Sequence, residues 1–352
     1  MRKQGYGNAS RIHMSVFASV YSGADQLTII FTENLRRTYQ TTTGIIRRKK
    51  KEIIALDGVD LSIQSGELFG LLGPNGAGKT TITRILATVL LPTSGTAQVF
   101  GLDVVKKVKE IRPRIGLVFG GERGLYWRLS GQDNLQYFAD LYKVPPEVAK
   151  RRIPELLELV GLADRASERI EGYSRGMKQR LHIARGLIHD PELLFLDEPT
   201  IGLDPLAARE LREVIRKLNQ AGKTIFLTSH YMFEIDSLCN RVAVMNKGKI
   251  LVLDTPAALK QVVANLEVVE IECFGVPGEL VAKIRAHPAV VAVNIEPLEQ
   301  SQLMQIQAPA GTELVQTFLG MLEGVQVRKV VTRQPTLEDA YIKLVGKESK
   351  QA

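Results

Sequence analysis

Apolar and polar positions recur along this chain in patterns that predict alternating strands and helices. Leu27–Phe31 is a short apolar run and Ile53–Ile63 alternates, so each is a predicted strand. Leu68–Leu72 predicts a third, followed by a glycine-rich segment. Ile82, Ile85, Leu86, Val89 and Leu90 then recur at i, i+3, i+4, i+7 and i+8, the spacing of a helix with one buried face. Pro92-Thr93-Ser94-Gly95 ends it in a turn. Ile115–Phe119 predicts another strand. Residues 130–190 read mostly as helices, interrupted at Pro145, Pro146 and Gly161. Leu193–Leu196 and Thr224–Leu227 are unbroken apolar runs, as in strands buried on both faces of a parallel sheet. Arg241–Val252 reads as a hairpin turning at Asn246-Lys247-Gly248.

Beyond Asp254 the pattern changes. Strand (Val268–Phe274), helix (Gly278–Ala286), strand (Val290–Ile295), strand (Leu303–Gln307), helix (Glu313–Leu322), strand (Val325–Val331) and helix (Leu337–Val345) follow in turn. This βαββαβ order suits a small ferredoxin-like α+β domain. The expected organisation is a flexible extension over 1–26, an α/β domain over 27–254 with a helical part at about 121–190, and an α+β domain over 266–347. Arg2, Lys3 and Arg11 ahead of Ile12–Tyr21 faintly resemble a signal peptide, but His13, Ser15 and Ser19 break the apolar stretch. A tail, or an upstream start ahead of Met14, is the plainer reading.

Composition adds exclusions. In 352 residues, 45% are hydrophobic and 24% charged, as in ordinary globular proteins, and two cysteines make no disulfide scaffold. No apolar run is long enough to span a bilayer. The net charge of +8 suggests nucleic acid or anionic lipid until it is located. Arg2, Lys3, Arg11, Arg36, Arg37, Arg47, Arg48, Lys49, Lys50 and Lys51 face only Asp25 and Glu33 in the first 51 residues. Lys and Arg total 46 and the acids 38, so the other 301 residues hold 36 of each. A neutral body carries a basic front, and a nucleic-acid groove is not expected.

The chemistry lies in two elements. Gly73-Pro74-Asn75-Gly76-Ala77-Gly78-Lys79-Thr80 fits G-x-x-x-x-G-K-[ST] between a predicted strand and a predicted helix. Backbone amides there, through Thr81, turn inward around phosphates, and the helix N-terminus favours anions. Lys79 reaches the β- and γ-phosphates, and the Thr80 hydroxyl ligates Mg²⁺. Leu193–Leu196 leads to Asp197 and Glu198, two carboxylates at a strand's C-terminal edge, where open α/β sheets bind ligands. Asp197 is expected to hold Mg²⁺ through water, and Glu198 to orient and deprotonate the attacking water.

With these in place the chain resembles the ATP-binding subunit of an ABC transporter, a P-loop NTPase core with a helical subdomain. Three further segments carry the resemblance. Tyr173-Ser174-Arg175-Gly176-Met177-Lys178-Gln179-Arg180 is similar to the signature Leu-Ser-Gly-Gly-Gln. Gly202-Leu203-Asp204 is similar to the D-loop, and His230 to the switch histidine. The resemblance implies that Ser174 and Gly176 contact a γ-phosphate held by a second copy. Asp204 is then expected across the dimer seam, and His230 on its own subunit's γ-phosphate. Tyr39 stands where the family places an aromatic against adenine; a core tyrosine is the other reading.

Two departures stand out. Arg175 and Met177 replace the common Gly and Gln, and Phe119-Gly120-Gly121-Glu122-Arg123-Gly124 lacks the expected glutamine, so Glu122, water or no contact takes that role. Leu125-Tyr126-Trp127-Arg128-Leu129 stands where the family meets a membrane subunit, with packing inside the helical part as the alternative. Tyr173–Arg180, Gly124–Leu129 and Thr336-Leu337-Glu338-Asp339-Ala340-Tyr341 resemble the type-2 export ATPases of the daunorubicin-resistance and sodium-export kind.

That branch implies ATP and Mg²⁺ as ligands, a head-to-tail homodimer, a separate six-helix permease, and a place on the inner face of the cell membrane. A soluble ABC ATPase acting on ribosomes or nucleic acid, or an importer ATPase, are the alternatives. The run Arg47–Lys51 is a solvated loop tip or a contact with anionic headgroups, the latter worth up to about 1 kcal/mol per charge. If it touches lipid, neutral replacements at Arg47–Lys51 weaken binding to anionic vesicles and leave ATP hydrolysis in solution intact. Unchanged vesicle binding identifies a solvated loop.

Overall fold

A computed structural model describes residues 27–43, 49–120, 124–310 and 312–348. The described residues begin with two long antiparallel strands, β1 (Thr28–Thr43) and β2 (Lys49–Gln64). Both run well past their predicted lengths, because the extension is polar and carries no alternation. β3 (Leu68–Leu72), buried throughout, delivers the glycine-rich loop to α1 (Lys79–Leu86).

That helix ends a turn before its apolar spacing predicts. Thr88 is left-handed at φ 61, which no helix continues through, and Val89 is exposed rather than on a buried face. The chain instead forms β4 (Ser94–Val99), which pairs with β1, and the short β5 (Leu102–Asp103).

A short helix, α2 (Val108–Ile111), leads to β6 (Ile115–Phe119). Three helices follow: α3 (Gly131–Leu141), α4 (Pro146–Leu159) and α5 (Arg175–Leu187). The chain then alternates through β7 (Leu193–Asp197), α6 (Pro205–Gln220), β8 (Thr224–Ser229) and α7 (Met232–Leu238), and closes with the hairpin β9 (Arg241–Asn246) and β10 (Lys249–Asp254).

The sheet order is β10-β9-β3-β8-β7-β6, all parallel except β10. One face packs against α1 and the β1–β2–β4 sheet, through Phe69, Phe195, Phe226, Ile82 and Leu61. The other packs against α3 to α6, through Leu194, Leu227, Leu181 and Leu211. Burial on both faces is why β7 and β8 read as unbroken apolar runs.

After α8 (Pro256–Gln261) come β11 (Leu266–Phe274), α9 (Gly278–Ala286), β12 (Ala292–Pro297), β13 (Gln302–Pro309), α10 (Thr312–Met321), β14 (Gln326–Arg333) and α11 (Leu337–Glu348). The order β12-β13-β11-β14, antiparallel at every pair, is ferredoxin-like. Ile271, Ile284, Met304 and Phe318 form its own core. The last helix belongs elsewhere: Leu337 joins the larger core, with Tyr341 against it, and Lys343 Nζ donates to the Val262 carbonyl at 2.9 Å. Asp339 is buried and fastens α11 to β14, accepting from Arg333 at 2.6 Å and from the Thr336 amide at 2.7 Å.

α5 carries His182 into the core, where neither ring nitrogen has a hydrogen-bond partner among the described residues. Burial, and secondly the Arg185 charge, push its pKa from 6.5 down to about 3. The unfolded chain therefore binds a proton below pH 6.5 that the folded chain refuses until about pH 3. The contribution of His182 to stability is full above pH 6.5 and is lost as pH falls through that window. Chemical denaturation of His182→Leu across it is expected to show a shallower acid loss than the wild type.

Candidate functional site

The loop between β3 and α1 is shaped by close approach. Gly78 has φ 113, and a side chain there would meet the Ala55 carbonyl at 2.5 Å, so only glycine fits. The neighbouring backbone is fastened in place, with the Gly248 amide donating to the Ala77 carbonyl at 2.8 Å. Gly73 and Ala77 are buried, whereas Pro74, Asn75 and Gly76 are open to solvent. Lys79 is buried; its ammonium donates to the Gly73 and Pro74 carbonyls at 2.6 and 3.2 Å and pairs with Glu198 Oε1 at 3.0 Å. Thr80 Oγ1 donates to Asp197 Oδ2 at 2.9 Å, and Thr81 follows on the same helix.

β3 and β7 are not neighbours; β8 lies between them. Its Thr228 bridges the gap. Thr228 Oγ1 donates to Asp197 Oδ1 at 2.6 Å and accepts from the Glu198 amide at 3.1 Å. Asp197 is thus held from both sides by threonine hydroxyls. Glu198 follows in the left-handed region at φ 53, which turns its side chain off the strand. Its Oε2 lies 2.6 Å from His230 Nδ1, so one carboxylate joins Lys79 and His230. The His230 ring leans on Tyr231, with centroids 4.1 Å apart.

A second carboxylate supports this edge from within. Glu234 on α7 is buried, and its Oε2 accepts from Thr200 Oγ1 at 3.1 Å. Burial raises its pKa against hydrogen bonds from Ser229 and Thr200. Gly120 packs directly on the Glu198 carbonyl, 2.6 Å from where a Cβ would sit. Glu122 lies outside the described residues.

The structure therefore gathers Gly73–Thr81, Asp197, Glu198 and His230. Ser174, Gly176 and Asp204 gather separately and make no hydrogen bond or ion pair to that group among the described residues. Ser174 caps α5, accepting from the Met177 amide at 3.2 Å, and Asp204 caps α6, accepting from the Ala207 amide at 2.9 Å. Gly176 is buried against Ala207. Tyr39 lies in neither core; it is half-buried on β1, opposite Ile53, with the Arg37 guanidinium 4.6 Å from its ring centre. Trp127 is half exposed, with Lys178 Nζ 5.0 Å from its ring centre, and Tyr126 donates to Tyr137 beside it.

Sequence reasoning missed Thr228, Thr200 and Glu234. Thr228 had a signal, a polar residue ending an apolar strand; the Thr200–Glu234 pair had none, because its members lie on different elements. Among the described residues no cluster of three His, Cys, Asp or Glu suits a metal, and no helix is long and apolar enough to cross a membrane.

The ABC transporter family profile matches residues 56–201. The daunorubicin resistance ATP-binding protein DrrA2 of Streptomyces coeruleorubidus is 38% identical over 316 residues, covering 88% of this chain and 95% of that protein. The linearmycin resistance ATP-binding protein LnrL of Bacillus subtilis (strain 168) is 32% identical over 317 residues, covering 90% and 97%. Among solved structures, the dimeric post-hydrolysis state of the ATP-binding cassette MJ0796 bound to ADP and Pi matches at TM-score 0.56 and 25% identity, over 64% of this chain and 98% of that one.

The threonine bridge makes a specific claim. Thr228→Val keeps the shape and removes both hydrogen bonds. Hydrolysis is expected to fall about tenfold to a hundredfold, with nucleotide affinity within about twofold of wild type, because only the carboxylates lose their bearing. Steady-state kinetics and fluorescent-nucleotide titration measure the two separately.

Proposed function

This chain belongs to the ATP-binding subunits of ABC transporters, and we propose that it powers an exporter by opening and closing as a head-to-tail pair. It is an ATPase that binds ATP. One observation carries the assignment of roles: the single carboxylate of Glu198 is ion-paired with Lys79 through one oxygen and hydrogen-bonded with His230 through the other. A carboxylate so placed serves as the base that orients and deprotonates water attacking the γ-phosphate. Lys79 and the backbone amides of Gly73, Pro74, Asn75, Gly76, Ala77, Gly78, Thr80 and Thr81 line the phosphate side, and His230 lies where the γ-phosphate meets Glu198. Tyr39, half-buried and already under a cation, is a platform for adenine.

The donor set fits Mg²⁺. A hydroxyl (Thr80) and a carboxylate (Asp197) 2.9 Å apart are hard oxygen donors. Mg²⁺ bound with substrate phosphates keeps several waters and needs no three-residue cage. Bound there, it would neutralise charge on the β- and γ-phosphates.

Ser174, Gly176 and Asp204 stand apart from their own chain's phosphate loop, which supports a site completed by a second copy. Closure of the pair moves as a rigid body against a membrane partner. Tyr126, Trp127 and Tyr137 form an exposed aromatic surface suited to that contact. Export through a separate six-helix permease rests on similarity, over nearly the whole length, to proteins named for drug resistance. The chain would then work at the cytoplasmic membrane face, with the basic front toward lipid and no nucleic acid involved. The unit over 266–347 would be non-catalytic.

Glu198→Gln tests the central role. It keeps the shape and removes the base, so hydrolysis is expected to fall about a hundredfold or more. An ATP-bound dimer should accumulate in size-exclusion chromatography. Sustained wild-type turnover by the variant would remove Glu198 from the mechanism.

A further inference from the structure

Arg175 occupies the first position of α5, where the related signature carries glycine, and its guanidinium lies on the turn before α6. A Cβ built on Gly202 would overlap the Arg175 Nη1, Cζ and Nη2 atoms, and Gly202 is left-handed at φ 68. One residue further along α5 the arrangement is reversed. Gly176 leaves room for Ala207, whose Cβ would lie 2.6 Å from a side chain at 176. The start of α5 is thus keyed to the turn before α6 at Gly202 and to α6 itself at Ala207.

That turn leads back to Glu198. The Ile201 amide donates to the Glu198 carbonyl at 3.2 Å, and the Leu203 amide to the Thr200 carbonyl at 3.1 Å. Thr200 is fastened to Glu234 on α7, and the residue that precedes Tyr231 and α7, His230, returns to Glu198. Gly202 therefore lies between Ile201 and Leu203 in a circuit that leaves Glu198 at its main-chain carbonyl and returns to it at its carboxylate. Arg175 enters it from the element that carries Ser174 and Gly176. Its contact is with backbone, and it makes no ion pair with a described residue. Covering a backbone surface suits a planar guanidinium and not the point charge of an ammonium.

We propose that Arg175 is a positioning residue that couples the two nucleotide sites. When Ser174 and Gly176 close on a phosphate held by the second copy, Arg175 carries the displacement to Gly202, and the turn carries it to Glu198 in the other site. The proposal rests on the reading that two chains share each site.

The test is ATP hydrolysis by the full chain, read as rate, half-saturating ATP and Hill coefficient. Arg175→Ala, Arg175→Lys, Gly202→Ala and the double variant Arg175→Ala/Gly202→Ala are compared. The wild type is expected to be cooperative, with a Hill coefficient approaching about 2 for two coupled sites. Both Arg175 variants should fall toward about 1, with half-saturating ATP within about twofold of wild type. Gly202→Ala should slow the rate about tenfold more in the wild-type background than beside Arg175→Ala, because the overlap is gone. Wild-type cooperativity in Arg175→Lys, or additive effects in the double variant, would overturn the coupling and leave the shared site standing. A wild type that hydrolyses ATP as a monomer without cooperativity would overturn the shared site and the coupling together.

Discussion

The carboxylate of Asp197 is the fixed point of this molecule. It ends a strand buried on both faces, and threonine hydroxyls from α1 and β8 hold its two oxygens at 2.9 and 2.6 Å. Those contacts join three elements that the sheet alone leaves apart, since β3 and β7 are separated by a whole strand. β8 helps hold the carboxylates against the glycine-rich loop through Thr228, next to last in the strand. The left-handed step at Glu198 depends on the same anchor. It places a second carboxylate within reach of Lys79 and His230, and the Thr228 hydroxyl and carbonyl both receive its amide.

From that anchor the architecture divides the chemistry between two surfaces. The sheet edge gathers Lys79, Thr80, Asp197, Glu198 and His230, the groups proposed to bind phosphate and activate water. The start of α5 and the turn before α6 hold Ser174, Gly176 and Asp204, and glycine contacts join α5 to that turn at Gly202 and to α6 at Ala207. Arg175, where the common form of the signature has glycine, falls on the seam between α5 and that turn. The ferredoxin-like unit stands away from this chemistry, but its last helix packs into the larger core beside α7 and α8, so it braces the element that follows His230.

Much of this was legible in the residues. Apolar runs without alternation marked β7 and β8 as buried on both faces, and the P-loop spacing placed its lysine and threonine correctly at the start of α1. The βαββαβ order after Asp254 was recoverable because each element there keeps its own period. What escaped depends on non-local contact. The outer half of the β1–β2 ribbon has no hydrophobic face to announce it. Val89 continued a helical pattern that the backbone abandons at Thr88, because the chain must turn to lay β4 against β1. Thr228, Thr200 and Glu234 matter through partners on other elements, which no local pattern reveals.

In the proposed mechanism one chain carries both halves of a nucleotide site and completes neither alone. Mixing two inactive chains tests it most directly. Lys79→Ala disables the phosphate loop and Ser174→Ala the signature, so each is expected to be nearly silent on its own. In a mixed dimer, one site joins the intact loop of the Ser174→Ala chain to the intact signature of the Lys79→Ala chain. Combined, the two preparations are predicted to regain ATP hydrolysis that rises with the fraction of mixed dimers. A mixture as silent as its components would contradict the shared site.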